Sequence, residues 1–200
     1  MKVLLINGSP HEKGCTYTAL SLIAGELNAS GIETEILNVG TKPVGGCIGC
    51  GGCRSGNGCV FGGVVNEAIE KAKTADAFVF GSPVHYASAA GNMASFMDRL
   101  AYAGGKYLAY KPAAVCCSAR RAGTTSTLDQ LVKYPQFFHM PLVNGSYWAM
   151  VHGSNPEQVL QDAEGCAVMQ ELGRNMAWLL RCIEAGKAAG IDHPQNPPAP

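Results

Sequence analysis

Blocks of apolar and polar residues alternate along the chain and predict strands and helices in turn. Short runs that are almost wholly apolar occur at residues 3–6, 76–81 and 112–117, and such runs are typical of parallel strands covered on both faces. Residues 32–37 alternate before turning apolar, which indicates a strand near a sheet edge. A further strand is expected around residues 140–143. The pattern therefore predicts five strands.

Helical periodicity occupies the segments between these strands. After the first strand, apolar residues recur at intervals of three and four, at Leu20, Ile23, Ala24 and Leu27. The same spacing predicts further helices over residues 64–74, 91–101, 126–133 and 156–185. Strands that alternate with helices imply right-handed crossovers and one parallel sheet. The predicted class is α/β, a three-layer α/β/α sandwich with a five-stranded parallel sheet.

Composition and charge bound the class of protein further. The 200 residues are 47% apolar, which suits one domain with a sizeable core. Lysine plus arginine (15) balances aspartate plus glutamate (15) without a basic block, so nucleic acid is not an expected partner. The first apolar run is too short for a signal peptide, and no stretch approaches the roughly 20 residues of a membrane span. We expect one domain over residues 1–190, a proline-rich tail over 191–200, a cytoplasmic location and no membrane partner.

A polar loop joins the first strand directly to the first helix. Backbone N–H groups and the positive end of the helix dipole converge at such a junction, which suits a phosphate. Ser9 and Thr16 add hydroxyl donors, and His11 or Lys13 adds charge. The loop matches neither the dinucleotide fingerprint nor the Walker A motif. It suits a single terminal phosphate, as on a mononucleotide, and an ordinary capped turn is the alternative.

Two more polar loops follow strands of the same predicted sheet. The loop after the third strand offers a flat apolar and aromatic wall, formed by Pro83, Val84, His85 and Tyr86. The loop after the fourth strand offers donors and cations, carried by Ser118, Ala119, Arg120 and Arg121. The carboxyl ends of parallel strands share one edge of the sheet, where ligands bind, so the three loops become neighbours. A phosphate grip, a planar wall and a cationic rim describe a site for flavin mononucleotide (FMN).

Taken together, these motifs resemble the NADPH-dependent FMN reductase family, which has a flavodoxin-like fold. The resemblance extends over residues 1–185 and rests on the segments 8–16, 81–99, 118–125 and 129–131. It implies that the FMN phosphate is held by Ser9, His11, Cys15 and Thr16. It also implies that the flavin ring lies along residues 83–86, that residues 118–121 approach its pyrimidine edge, and that the protein forms a homodimer or homotetramer.

The sequence departs from the family pattern at the first loop. Cys15 stands where the family usually has asparagine, and a thiol is only a weak hydrogen-bond donor. His11 stands where a basic residue is common. We therefore expect weaker phosphate binding than in close relatives.

Four of the nine cysteines form a compact run, Cys47-x-x-Cys50-x-x-Cys53 followed by Cys59. This spacing lets consecutive thiolates converge on one iron–sulfur cluster, and the glycines between them free the backbone to wrap tightly. The spacing resembles that of iron–sulfur flavoproteins and implies a [4Fe–4S] cluster near the flavin. Structural zinc and a metal-free cysteine loop are the alternatives.

The expected activity is that of an FMN-dependent NAD(P)H oxidoreductase. Electrons pass from NAD(P)H through the flavin to a small-molecule acceptor such as a quinone, an azo or nitro compound or another flavin, or to an iron–sulfur acceptor. The alternative is an iron–sulfur flavoprotein that carries electrons received from ferredoxin.

Charged and aromatic residues around these motifs admit two roles each. Arg120 or Arg121 is expected to stabilise negative charge on the reduced flavin, the alternative being a solvated loop charge. Asp98 and Arg99 are interpreted as a structural pair or a subunit contact. The pair at residues 147–148 is either core packing or a lid over the flavin.

Overall fold

The computed structural model describes residues 1–194, so residues 195–200 of the predicted tail lie outside the described residues. The strands and helices run in chain order as β1 (Lys2–Asn7), α1 (Cys15–Ala29), β2 (Glu33–Asn38), α2 (Val64–Thr74), β3 (Ala77–His85), β4 (Ser88–Ala89), α3 (Gly91–Gly104), β5 (Ala113–Ala119), α4 (Thr124–Phe137), β6 (Met150–His152), α5 (Pro156–Val159) and α6 (Ala163–Ala188).

Five parallel strands form the sheet in the order β2-β1-β3-β5-β6, and β4 pairs antiparallel with the end of β3 as a short hairpin. Counting the parallel strands alone, this is the 2-1-3-4-5 order of the flavodoxin-like fold, whose direction of winding reverses between β1 and β3. The predicted five-stranded parallel sheet is confirmed, with β2 at the edge where the alternating pattern had indicated it.

Helices cover both faces of the sheet. Along β1, Val3 and Leu5 pack in the core formed with α1 and α6, whereas Leu4 and Ile6 pack in the core formed with α2 and α3. All four side chains are buried, and each contributes about 1.5–3 kcal/mol of hydrophobic stabilisation. Burial on both faces explains why the strand is apolar without alternation. The three-layer sandwich is confirmed, and none of its helices within residues 1–194 is both long and apolar enough to cross a bilayer.

The last parallel strand is Met150–His152, and the prediction of a strand around residues 140–143 is wrong. Leu142 forms only an isolated bridge to Ala113, whose N–H donates to the Pro141 carbonyl at 2.9 Å. Pro141 has no N–H to continue a ladder. The chain leaves the sheet there and returns to pair with the carboxyl half of β5.

The helix predicted over residues 156–185 is divided in two. Asn155 caps α5 by accepting the Gln158 N–H, and Asp162 caps α6 by accepting the Gly165 N–H. Because an N-terminal cap marks the start of a helix, two such caps seven residues apart indicate two separate helices. The longer segment, α6, continues to Ala188 and packs against α1.

Candidate functional site

A cleft of about 290 Å³ opens at the carboxyl edge of the sheet. It is lined by the loop after β1 with the start of α1, by the carboxyl ends of β3 and β5, and by the loop after β6. Its lining residues are Ser9, His11, Cys15, Thr16, Pro83, Val84, His85, Ser118, Ala119, Arg120, Gly153 and Ser154. The structure therefore brings together ten of the twelve residues predicted to bind FMN and leaves out Tyr86 and Arg121. A larger groove of about 530 Å³ lies between α1 and β2 and contains none of the twelve.

The loop after β1 is held by a buried amide that the sequence analysis missed. The Asn7 side chain accepts the Ser9 N–H at 3.2 Å and donates to the Glu12 carbonyl at 3.2 Å. Its amide also donates to Asn38 Oδ1 at 2.8 Å, which ties the loop to the end of β2. Ser9 Oγ in turn accepts the His11 N–H at 3.1 Å. An asparagine as the last residue of a buried strand was the available signal.

The first turn of α1 provides the donors expected of a phosphate site. Gly14 occupies the N-cap position and no side chain caps the helix; the first helical hydrogen bond runs from the Thr18 N–H to the Gly14 carbonyl. The N–H groups at the start of the helix thus remain available to an anion. The Cys15 thiol donates to the Gly153 carbonyl at 3.6 Å. Burial raises the pKa of this thiol.

Two buried hydroxyl groups join the first turn of α1 to the carboxyl end of β5. Thr16 Oγ1 and Ser118 Oγ lie 2.8 Å apart and both residues are buried. This contact fixes the start of α1 against the end of β5. Arg120, two residues further on, is exposed at the rim of the cleft.

The β3–β4 hairpin forms the wall of the cleft and places Tyr86 outside it. Ser82 Oγ accepts the Ala90 N–H at 3.0 Å and so closes the base of the hairpin. Pro83 and Val84 are partly buried along the cleft. Tyr86 was expected to contact the flavin ring, but it lies at the hairpin tip with φ of 50° and is fully exposed outside the cleft. The reason is that β3 continues through His85, which carries the turn beyond the cleft.

The cysteine loop, residues 40–63, lies over the start of α2 and along α3. Cys47 and Cys50 are exposed, whereas Cys53 and Cys59 are partly buried. Within the part of the chain that the structure describes, no three His, Cys, Asp or Glu side chains are gathered as a metal site. The residue type and spacing of the four cysteines nevertheless suit an iron–sulfur cluster, and binding one would require the loop to bring the four thiols together.

Asp98 and Arg99 do not form the structural pair that the sequence suggested. Asp98 Oδ1 accepts a hydrogen bond from the Tyr134 hydroxyl at 2.6 Å, and Arg99 contacts the cysteine loop instead. Burial and the contact with Asp98 raise the pKa of Tyr134. Tyr147 and Trp148 are both exposed and lie edge to face, so core packing is excluded as their role.

Two residues of the cleft, Gly153 and Ser154, were not predicted at all. They follow β6, which the sequence analysis had placed about ten residues too early. The only available signal was the general rule that the loop after every parallel strand reaches the same edge.

Comparison with known proteins agrees with this geometry. The family model described as NADPH-dependent FMN reductase matches residues 1–155. An iron-sulfur flavoprotein of Methanocaldococcus jannaschii is 28% identical over 192 residues, which cover 92% of this chain and 100% of that protein. The structure of RosB with bound 8-demethyl-8-formylriboflavin-5'-phosphate aligns with a TM-score of 0.72 at 15% identity, over 100% of this chain and 93% of RosB.

A flavodoxin from the domain Archaea aligns with a TM-score of 0.60 at 14% identity, over 90% of this chain and 99% of the flavodoxin. The structural similarities show a flavodoxin-like fold. The family model covers 155 of the 200 residues, including the loops after β1, β3 and β5. The chain therefore belongs to the NADPH-dependent FMN reductase family.

Proposed function

We propose that this chain binds FMN in the cleft and oxidises NAD(P)H, passing the electrons to a small-molecule acceptor such as a quinone or a nitro or azo compound. Family membership supports an FMN-dependent oxidoreductase in general. The observation that supports FMN binding in this cleft is its donor set, in which an uncapped helix start and two buried hydroxyls lie beside an apolar wall; the choice of NAD(P)H as electron donor rests on the family.

The residues present fit FMN in both its parts. The N–H groups at the start of α1, with Ser9 and Thr16, suit the phosphate, since a helix N-terminus favours anions. Pro83 and Val84 offer an apolar surface for the flavin ring. When bound, FMN supplies the redox chemistry, accepting a hydride and releasing electrons to a second substrate.

The protein's own contribution is orientation and charge. The Thr16–Ser118 contact holds the loop after β1 and the loop that carries Arg120 at a fixed separation. Arg120 places a positive charge at the rim of the cleft, where it would stabilise negative charge on a reduced flavin. Arg121, its neighbour, does not line the cleft and provides a matched control. Arg120→Gln is expected to slow flavin reduction by about tenfold, and Arg121→Gln to leave it unchanged.

Steady-state kinetics test the proposal directly. If one bound flavin serves both half-reactions, initial-rate plots at several acceptor concentrations give parallel lines, and mixing with NADH or NADPH without oxygen bleaches the flavin. Intersecting lines, or a flavin that stays oxidised with both nucleotides, would contradict the proposed reaction.

A second candidate function is supported by the cysteine loop and by the full-length match to an iron-sulfur flavoprotein. In this proposal the loop holds a [4Fe–4S] cluster and the protein carries electrons received from ferredoxin. Anaerobically purified protein is then expected to contain about four irons per chain and to consume negligible NAD(P)H. Iron-free protein with rapid NAD(P)H turnover would exclude it. The homodimer or homotetramer stays a prediction, checked by light scattering.

A further inference from the structure

Helix α3 carries a buried cation that faces the cysteine loop. Arg99 is 7% exposed, and its Nε donates to Cys59 Sγ at 3.2 Å. Its two terminal nitrogens donate to the Gly45 carbonyl at 3.3 Å and the Gly62 carbonyl at 3.0 Å. The guanidinium also lies over the Phe61 ring, 5.7 Å from its centre. All of its hydrogen bonds therefore go to one loop.

The unusual feature is the chemistry of these acceptors. A buried arginine is normally paired with a carboxylate, because desolvation of an unpaired charge is costly. Arg99 makes no ion pair with any carboxylate of residues 1–194. The carbonyl groups are neutral, so the sulfur of Cys59 is the one partner that can carry negative charge. The pocket is therefore arranged for an anionic sulfur.

Arg99 also makes hydrogen bonds on both sides of the cysteine run. Gly45 lies two residues before the first cysteine, and Gly62 lies three residues after the last. One further side chain of α3 holds the loop without charge: Asn92, two helical turns earlier, donates to the Gly40 and Lys42 carbonyls and accepts the Val44 N–H. The helix therefore offers a charged tether and a neutral tether to the same loop.

We propose that Arg99 is a positioning residue for an iron–sulfur cluster in this loop, which holds Cys59 in place and raises the reduction potential of the cluster through its charge. The proposal rests on the second candidate function, in which the loop binds the cluster. Hydrogen bonds to ligand sulfurs and nearby charge are established determinants of cluster potentials. Thiolate ligands give the cluster negative charge, and a buried cation makes adding one more electron easier.

The test compares three variants of the full chain, purified without oxygen and reconstituted with iron and sulfide. Redox titration followed by electron paramagnetic resonance measures the potential of the cluster. Arg99→Gln is expected to lower the equilibrium constant for reduction about tenfold, roughly 59 mV for a one-electron couple. Arg99→Lys keeps the charge and is expected to restore most of the potential. Asn92→Ala removes the neutral tether and is expected to leave the potential at the wild-type value.

The outcomes distinguish an effect of the positive charge of Arg99 from an effect of holding the loop in place. Equal shifts in Arg99→Gln and Asn92→Ala, or none in Arg99→Gln, would overturn the proposal while leaving the cluster itself intact. Wild-type protein that binds no iron would overturn the second candidate function as well. If Arg99→Gln does not fold, as judged by loss of FMN binding, Arg99→Lys decides: a wild-type potential supports the charge, and a tenfold loss contradicts it.

Discussion

The flavin cleft and the cysteine loop lie at the same edge of the sheet but are built in opposite ways. The cleft is formed by short loops whose ends are fixed by paired strands, and its central contact, between Thr16 and Ser118, is buried. The cysteine loop spans residues 40–63 with one turn of 3₁₀-helix, Gly52–Ser55, and two of its four cysteines are exposed. Protein contacts hold it mainly at its ends, through Asn92, Arg99 and Asn66.

This difference shows which part of the site the fold itself creates. Loops after parallel strands inherit their positions from the sheet, so the cleft exists without a ligand. A loop of more than about 12–15 residues without regular structure is uncommon unless it is functional. We therefore expect the middle of the cysteine loop, where Cys47 and Cys50 are exposed, to change shape when a ligand gathers the thiols, while Arg99 keeps Cys59 in place.

Removing two of the thiols is expected to have the largest effect, and to affect the cysteine loop without affecting the cleft. If the loop holds a [4Fe–4S] cluster, as in the second candidate function, Cys50→Ser with Cys53→Ser is expected to reduce iron from about four per chain to nearly none, because a cluster cannot assemble on two thiolates. FMN content stays at one per chain, since neither cysteine lines the cleft. Iron analysis and absorbance measure both. Cys182→Ser, an exposed cysteine on α6, is the control, and loss of FMN together with iron would show that the two regions are not independent.

A methyl group at Gly40 tests how rigid the cleft is. A Cβ there would meet the backbone carbonyl groups of Gly8 and Ser9. Both residues belong to the loop after β1, which is expected to bind the phosphate. Overpacking of this kind costs about 1–3 kcal/mol, and we expect FMN to bind on the order of 10- to 100-fold more weakly, as measured by quenching of flavin fluorescence. A Cβ at Gly45, five residues further along the cysteine loop and away from the cleft, meets nothing within 4 Å. Gly45→Ala is thus the control, and equal effects of the two variants would refute the contrast.

The buried hydroxyl pair supplies a smaller effect within the cleft. Thr16→Val leaves Ser118 without its partner, and a buried unsatisfied hydroxyl costs about 1–3 kcal/mol of unfolding free energy. The double variant with Ser118→Ala is expected to lose less than the sum of the single losses. Urea unfolding measures all three. The control, Thr34→Val, removes an exposed hydrogen bond from a hydroxyl to Asn28 and is expected to change the free energy of unfolding by less than about 0.5 kcal/mol. Losses in the Thr16 and Ser118 variants that are strictly additive would contradict the coupling between the two hydroxyls.

The smallest effect is expected far from both regions, where Glu35 bridges Lys2 at 2.8 Å and Lys71 at 2.6 Å. Hydrogen bonds from Lys2, and then from Lys71, lower the pKa of Glu35. A lowered pKa stabilises the fold above the carboxyl's unfolded value and loses this effect as pH falls through the folded value. Glu35→Gln is expected to cost about 0.5–1 kcal/mol near neutral pH, because the pair is partly exposed.

The cost of Glu35→Gln should begin to shrink as pH falls below the unfolded carboxyl's value of about 4.3, vanish only below the lowered folded value, and shrink at high salt. FMN and iron contents should not change, since the bridge lies away from the cleft and the cysteine loop. A stability difference that persists at low pH would show that packing, rather than charge, is responsible.

Sequence patterns predicted the parts of the fold that local periodicity determines. The apolar strands and the helix over Val64–Thr74 follow from residue spacing alone. The last strand, Met150–His152, is too short to show any period. The break between α5 and α6 depends on two capping side chains, Asn155 and Asp162, inside an otherwise helical pattern.

The candidate site was predictable to the extent that it lies on strand ends. Tyr86 lies outside the cleft because the two-residue strand β4 extends the hairpin beyond it, and its contact with the flavin ring stays a prediction. The role of Arg99 was hidden for a different reason. Its acceptors Gly45, Cys59 and Gly62 are 37 to 54 positions away in sequence, and only the tertiary structure brings them to α3.

Titration of FMN-free protein with FMN and with riboflavin tests whether the cleft binds the flavin through its phosphate. We expect one FMN to bind per chain. Riboflavin lacks the phosphate and is expected to bind at least about tenfold more weakly, because the start of α1 contributes charge-assisted hydrogen bonds to the phosphate. Folded protein that takes up neither flavin, or that binds both with equal affinity, would contradict the assignment of the cleft.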